Sequence, residues 1–83
     1  MTSYHFHMRG GEDRSLTPDG VQLADLDAAK IEALRNAREI MAHDVLMGRL
    51  DVNLYIDVRG DEGELVYSLS FRDAVTVVGL IAS

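Results

Sequence analysis

The chain has 83 residues, of which 47% are hydrophobic and 27% are charged, and its formal net charge at pH 7 is −6. This length and composition predict a single small globular domain over residues 1–83 rather than a disordered or fibrous chain. The acidic balance argues against a nucleic-acid binder, because such proteins usually present a basic surface to the phosphates. It favours a protein that remains soluble and meets a basic protein partner.

The sequence contains no cysteine, which excludes disulfides and thiolate metal ligands and fits a cytoplasmic location. The N-terminus lacks the apolar core of a secretory signal. The most apolar run, Ala74–Ala82, has nine residues, whereas a membrane-spanning helix needs about 20. We therefore expect no membrane association.

The first half of the chain predicts strands and turns. Residues 4–9 (YHFHMR) alternate apolar and polar side chains, which is typical of a half-buried strand. Gly10–Asp13 turns the chain, and TPDG at Thr17–Gly20 is a second turn with proline and glycine where turns favour them. Short strand segments are expected on either side of that turn, at Arg14–Thr17 and Val21–Leu23.

A long helix is predicted from Leu26 to Met47. Asp25 is suited to cap its first turn, and Gly48 is suited to end it. At 100° per residue, one stripe of the helix is apolar; it contains Leu26, Ala29, Ala33, Leu34, Ala37, Ile40 and Met41. The helix would be roughly 33 Å long, longer than a seven-residue strand of about 23 Å. We therefore expect its C-terminal end, at Val45–Leu50, to overhang the sheet.

Two more strands are predicted after the helix, joined by a hairpin loop at Gly60–Gly63. In the second strand, Leu65 is expected to face the helix and Val66 to face away. Phe71–Ala74 (FRDA) is expected to break this strand with a local turn. Residues 74–83 then form a C-terminal tail or a short extra strand. The fold class is therefore α+β: a ββαββ antiparallel sheet with one long helix packed on one face.

Three stretches of the sequence carry a resemblance to a known family. They are YHFHMRGG, DGVQLADLDAAKIEALRNAREIMAHD and GELVYSLSFRDAV, and they span about Tyr4 to Val75. The chain resembles a family of small bacterial proteins classed as a domain of unknown function, numbered 6894. Its members share a Tyr-x-Phe-His start, a Gly-Val-x-Leu-x-Asp helix entry and a late Phe-Arg-Asp-Ala segment. His5 departs from this pattern. The resemblance implies a fold but no activity.

The pair His5 and His7 raises the question of a metal site. Both side chains lie on the strand face away from the helix, so one ion could reach both. A protein zinc site needs at least three ligands, and the remaining histidine, His43, is predicted on the solvent side of the helix. An exposed pair without a metal is the favoured interpretation, and metal binding through His5 and His7 is kept as an alternative.

Other catalytic patterns are missing from the sequence. It has no Gly-x-Ser-x-Gly elbow, no phosphate-binding glycine loop and no His-Glu-x-x-His motif. The carboxylates of Asp57–Glu64 lack the spacing of an EF-hand loop. We therefore predict no enzymatic activity, no catalytic residue and no cofactor.

Two surfaces remain as candidates for interaction. The first is the open sheet face, with the residue types that interfaces favour; its members are His5, His7, Arg9, Tyr55 and Arg59. The second is the apolar helix end with the tail; its members are Val45, Leu46, Met47, Leu50, Val77 and Leu80. A monomer this small would have difficulty covering that end, so pairing between two copies is expected.

The favoured functional hypothesis is a non-catalytic protein-interaction module of unknown partner that associates with itself as a homodimer. An alternative comes from a resemblance of the sheet-plus-helix plan and acidic charge to HicB-type antitoxins, which implies a regulatory protein that binds a small basic partner. In this chain the helix precedes two strands and no DNA-binding segment follows, both of which depart from that pattern.

Overall fold

The computed structural model of the protein describes residues 1–11 and 13–79. Its elements are β1 (Thr2–Arg9), β2 (Arg14–Ser15), β3 (Val21–Leu23), α1 (Leu26–Leu46), β4 (Tyr55–Arg59), β5 (Leu65–Ser70) and α2 (Phe71–Ala74). The strands pair antiparallel in the order β2-β1-β4-β5, and β3 also pairs with β1. The predicted α+β class, with one long helix on an antiparallel sheet, is confirmed.

The second arm of the first hairpin consists of two short strands, one on either side of the TPDG turn. β2 pairs with the C-terminal half of β1 and β3 with its N-terminal half. Between them the TPDG turn closes with a hydrogen bond of 2.9 Å from the Gly20 N–H to the Thr17 carbonyl. The Thr17 hydroxyl also accepts a hydrogen bond of 2.9 Å from the Phe6 N–H. The turn therefore remains attached to β1 and separates the two short strand segments that the sequence predicted.

The helix α1 begins and ends close to the predicted residues. Asp25 caps it, since its carboxylate accepts a hydrogen bond of 2.9 Å from the Ala28 N–H. At the other end, Met47 is the C-terminal cap and Gly48 has a φ of +84°, which is the left-handed conformation that glycine adopts readily. The capping residues were thus predictable from sequence.

The core lies between α1 and one face of the sheet. The side chains of the predicted apolar stripe are buried or partly buried there. Small alanine side chains let the helix approach the sheet closely, and the largest fully buried side chains fill the layer; these are Phe6, Ile56, Val58 and Phe71. The open face of the sheet, away from α1, has no secondary-structure element packed on it within the described residues.

One expectation for the C-terminal part was wrong. A β-bulge between Val58 and Arg59 shifts the register, so that Leu65 pairs with Arg59. Leu65 therefore shares the open face and is exposed, whereas Val66 packs partly against the core. The sequence left residues 74–83 open as a C-terminal tail or a short extra strand; residues 75–79 form no strand, and residues 80–83 lie outside the described residues.

The chain turns from β5 toward α1 at the short helix α2. The Ser70 hydroxyl accepts a hydrogen bond of 3.3 Å from the Arg72 N–H and caps α2. The side chain of Arg72 binds Asn53, and Arg38 of α1 donates a hydrogen bond of 2.9 Å to the Ala74 carbonyl. The FRDA segment thus forms the local turn that was expected, and it directs residues 75–79 along the helix.

Candidate interaction surfaces

The open sheet face brings together all five side chains predicted for it. Cross-strand partners share a face of a sheet, and the register of β1 on β4 pairs His5 with Arg59, His7 with Asp57, and Arg9 with Tyr55. This cross-strand pairing continues onto β5, where Ser68 lies opposite Asp57. The face therefore has a polar centre.

A hydrogen-bonded network occupies that centre. Arg9 Nε lies 2.7 Å from Asp57 Oδ2, and Arg9 Nη2 lies 3.2 Å from Oδ1. Ser68 donates its hydroxyl hydrogen to Asp57 Oδ1 across 2.7 Å. The guanidinium carbon of Arg9 is 4.3 Å from the centroid of the Tyr55 ring, within the range of a cation–π contact. These contacts fix Arg9 across the face in a bidentate pair of the kind that arginine geometry favours.

The carboxylate of Asp57 is nearly buried although it lies on an uncovered face. Its side chain is only 6% exposed, because Arg9 lies over it. Burial by itself raises the pKa of Asp57 and is the largest single effect. Together, the hydrogen bonds from Arg9 and Ser68 and the charges of Arg9 and Arg59 outweigh the effect of burial. They hold the pKa of Asp57 below its ordinary value. The hydrogen bond to Asp57 likewise raises the pKa of Arg9. Asp57 is therefore an ionised structural residue.

The two histidines of β1 do not lie within a group of metal ligands. Among residues 1–11 and 13–79, no three His, Cys, Asp or Glu side chains gather in a way that could hold an ion. His43 is exposed near the end of α1. His5 instead lies against the TPDG turn, because a Cβ built on Gly20 would be 2.9 Å from its Cε1. The structure thus gives no support to the alternative of a metal site at His5 and His7.

The apolar helix end and the segment after α2 form the second surface. They bound an open groove of about 690 Å³, called here the apolar groove, which is lined by Arg38, Met41, Ala42, Val45, Leu46, Leu50, Val75, Thr76, Val77 and Val78. Leu46 and Val78 are 84% and 86% exposed. Contiguous exposed apolar surface on a small protein usually marks an interaction site.

Four of the predicted residues of this surface line the apolar groove: Val45, Leu46, Leu50 and Val77. Met47 is exposed beside it, and Leu80 lies outside the described residues. Sequence reasoning missed Ala42, whereas Val78 belongs to the C-terminal tail that was expected to contribute to this surface. Ala42 could have been predicted from the sequence, because it lies four residues before Leu46 and therefore on the same side of the helix.

A smaller and more polar groove lies on the other flank of α1. Its volume is about 370 Å³, and its lining includes Met8 and Arg14 of the sheet and Ile40 and Asp44 of the helix. The flank of α1 over β1 and β2 therefore borders a polar groove, whereas the opposite flank borders the apolar groove.

Fold and surfaces together define a class: a small α+β domain with a polar sheet face and an apolar helix end. No helix in the described part of the chain has the length and apolarity to cross a membrane. A family model described as Domain of unknown function (DUF6894) matches residues 3–72. The match covers most of the chain, so the chain belongs to this family. Searches of curated proteins and of solved structures gave no match.

Proposed function

We propose that this protein is a small, non-catalytic interaction module of the cytoplasm that associates with a second copy of itself through the apolar groove. The observation that carries the proposal is the concentration of exposed apolar side chains at one end of the molecule. A domain of this size has little further surface with which to cover them, and covering them removes apolar area from water.

The shape of this end favours a second copy as its occupant. The same few residues provide both a groove and projecting side chains at its rim, since Leu46 and Val78 are the most exposed. A surface with both features can be complementary to itself across a twofold axis, in which each copy contributes the same patch. The segment Val75–Val78 is rich in β-branched residues, and its backbone begins extended at Val75, so it also offers a strand-like edge.

Leu46→Lys tests this proposal without disturbing the core, because the side chain is almost fully exposed. We expect wild-type protein to sediment as a dimer and Leu46→Lys to dissociate at least tenfold more readily, since a buried unpaired charge costs more than about 1.4 kcal/mol. His43→Lys is the matched control, because His43 is exposed on α1 outside the apolar groove.

Two results would contradict the proposal. One is wild-type protein that remains monomeric at the highest attainable concentration. The other is equal dissociation of Leu46→Lys and His43→Lys. An affinity purification adds a separate readout: stoichiometric capture of a small basic protein would favour the antitoxin-like alternative in place of self-association.

A further inference from the structure

We infer that two copies pair edge to edge along β5, so that their sheets join into one continuous antiparallel sheet about a twofold axis. This inference rests on the proposed self-association and adds the β5 edge to the contact between the two copies. It follows from three independent features: the chemistry of the β5 edge, the direction of its backbone groups, and an exposed isoleucine on the neighbouring flank of α1.

The β5 strand is the unprotected edge of the sheet. Its six residues, LVYSLS, include no charged residue and no proline. The opposite side of β1 is already occupied by β2 and β3, whereas β5 pairs only with β4 in the described part of the chain. Proteins usually protect an exposed edge with charges, proline or a covering element. An edge without these features is suited to pair with another strand.

The ladder between β4 and β5 shows which backbone groups face this edge. The Phe71 N–H donates a hydrogen bond of 2.9 Å to the Leu54 carbonyl, which makes this pair a hydrogen-bonded one. Hydrogen-bonded and non-hydrogen-bonded pairs alternate along an antiparallel ladder. Ser68 and Ser70 therefore belong to non-hydrogen-bonded pairs, and their N–H and C=O groups point toward the free edge.

The strand is complementary to itself in one antiparallel register. With the twofold axis beside Ser68, each Ser68 exchanges both backbone hydrogen bonds with its counterpart. Tyr67 then lies opposite the second copy's Leu69 on the face that α1 covers, so apolar side chains meet and serines remain on the open face. No like charges are brought together by this pairing.

The flank of α1 above β5 continues the same surface. Lys30 Nζ lies 5.2 Å from the centroid of the Tyr67 ring, which places this flank over β5. Ile31 is 70% exposed and lies 7, 11 and 14 residues before Arg38, Ala42 and Val45 of the apolar groove, spacings that return to one side of a helix. Ile31 is thus an exposed apolar side chain on the flank of α1 that lies over β5 and carries the groove further along.

Pairing of the β5 edges also brings the helices to a suitable distance. Neighbouring strands lie about 4.8 Å apart, and α1 packs on β4 and β5. Two such helices, each above its own outer strands, would be roughly 10 Å apart, the usual distance for packed helices. Because Lys30 lies over Tyr67, one residue from the twofold axis, Ile31 of each copy lies near that axis and faces α1 of the other copy.

Amide hydrogen exchange measured by NMR tests this geometry in the intact wild-type chain. We expect the Ser68 and Ser70 amides to be protected at concentrations where the dimer is populated, and to exchange rapidly on dilution. We also expect Ile31→Lys to weaken the dimer about tenfold or more, whereas His43→Lys leaves it unchanged. Ile31 is mostly exposed, so this variant keeps its fold.

The outcomes separate this inference from the proposed function. A dimer that Leu46→Lys dissociates, but whose Ser68 and Ser70 amides exchange rapidly and which tolerates Ile31→Lys, would overturn the β5 pairing and leave self-association intact. A wild-type monomer would overturn both. Protection of both amides that is lost on dilution, together with dissociation by Ile31→Lys, would establish the pairing.

Discussion

Asp57 retains its charge on the open sheet face because Arg9 and Ser68 satisfy both of its oxygens. An unsatisfied buried carboxylate would be costly, and none of the described buried side-chain polar atoms lacks a partner. The network also holds Arg9 over the ring of Tyr55. At the scale of single residues, this face therefore carries a polar network whose buried side-chain groups, among the described residues, are all hydrogen-bonded.

Asp57→Asn tests the contribution of this network. The substitution preserves shape but removes the charge and turns one acceptor into a donor that faces Arg9. We expect the free energy of unfolding to fall by about 1 kcal/mol, less than the ~1.5–3 kcal/mol typical of hydrogen bonds to charged groups, because solvent screens the exposed Arg9. Urea denaturation measures the loss. Glu62→Gln, an equal charge change in the exposed hairpin, should cost little, and equal losses in the two variants would disprove the network's role.

The lowered pKa of Asp57 predicts how stability depends on pH. Its pKa in the folded protein lies below the ordinary value of 3.8, so between these two values the unfolded chain binds more protons than the folded one. Stability from Asp57 is therefore complete above about pH 4 and is lost as the pH falls through the folded pKa. Denaturation curves at a series of pH values should show a shallower acid decline for Asp57→Asn. An unchanged decline would show that Asp57 titrates normally.

The burial of Asp57 could not be predicted from the sequence. Alternation along the strand placed it correctly on the open face. Its exposure, however, depends on the conformation of Arg9. The side chain of Arg9 reaches over from the adjacent cross-strand pair, Arg9 with Tyr55, and covers Asp57. Sequence periodicity specifies the face of a side chain but not the conformation of a long neighbour. The face of each predicted surface residue on β1 and β4 was therefore predictable, and the network between them was not.

At the scale of elements, the turns position the sheet face. Gly20 has a φ of +77°, and a Cβ there would be 2.8 Å from the Ser3 hydroxyl and 2.9 Å from His5 Cε1. This glycine is required both for its backbone conformation and for the close approach of β1. The turn thereby packs closely against His5 of the open face.

A pair of glycine substitutions separates these two requirements. Gly48→Ala meets nothing within 4 Å at a φ of +84°, so it should cost only the backbone strain of about 1 kcal/mol. Gly20→Ala should cost about 2 kcal/mol, because it adds the collision with Ser3 and His5. Thermal denaturation of both variants provides the comparison. Equal losses would show that the turn moves away from β1 at little cost.

The elements that were predicted correctly and those that were predicted wrongly differ in what determines their structure. Capping residues and apolar periodicity are local, and they located α1 to within a residue of each end. The register of β5 depends on a bulge that no residue type signals, so Leu65 and Val66 were assigned to the wrong faces. Val75–Val78 has strand propensity, yet α2 and the hydrogen bond from Arg38 direct it along the helix. In both places a tertiary contact overrides the local pattern.

At the scale of the whole molecule, apolar exposure is concentrated on one side. The helix α1 extends past the sheet, and its end remains uncovered together with Val77 and Val78. The excess length of the helix was predictable from element lengths, and so was the exposure of its end. The convergence of the helix end and the segment after α2 was not, because it depends on how the chain leaves the sheet.

The most direct test of self-association is sedimentation equilibrium of the wild-type chain beside Leu46→Lys and His43→Lys. We expect a dimer for wild type and His43→Lys, and a dissociation constant at least tenfold higher for Leu46→Lys. A wild-type protein that remains monomeric across the whole concentration range would contradict the proposal, because its apolar groove would then stay uncovered by a second copy.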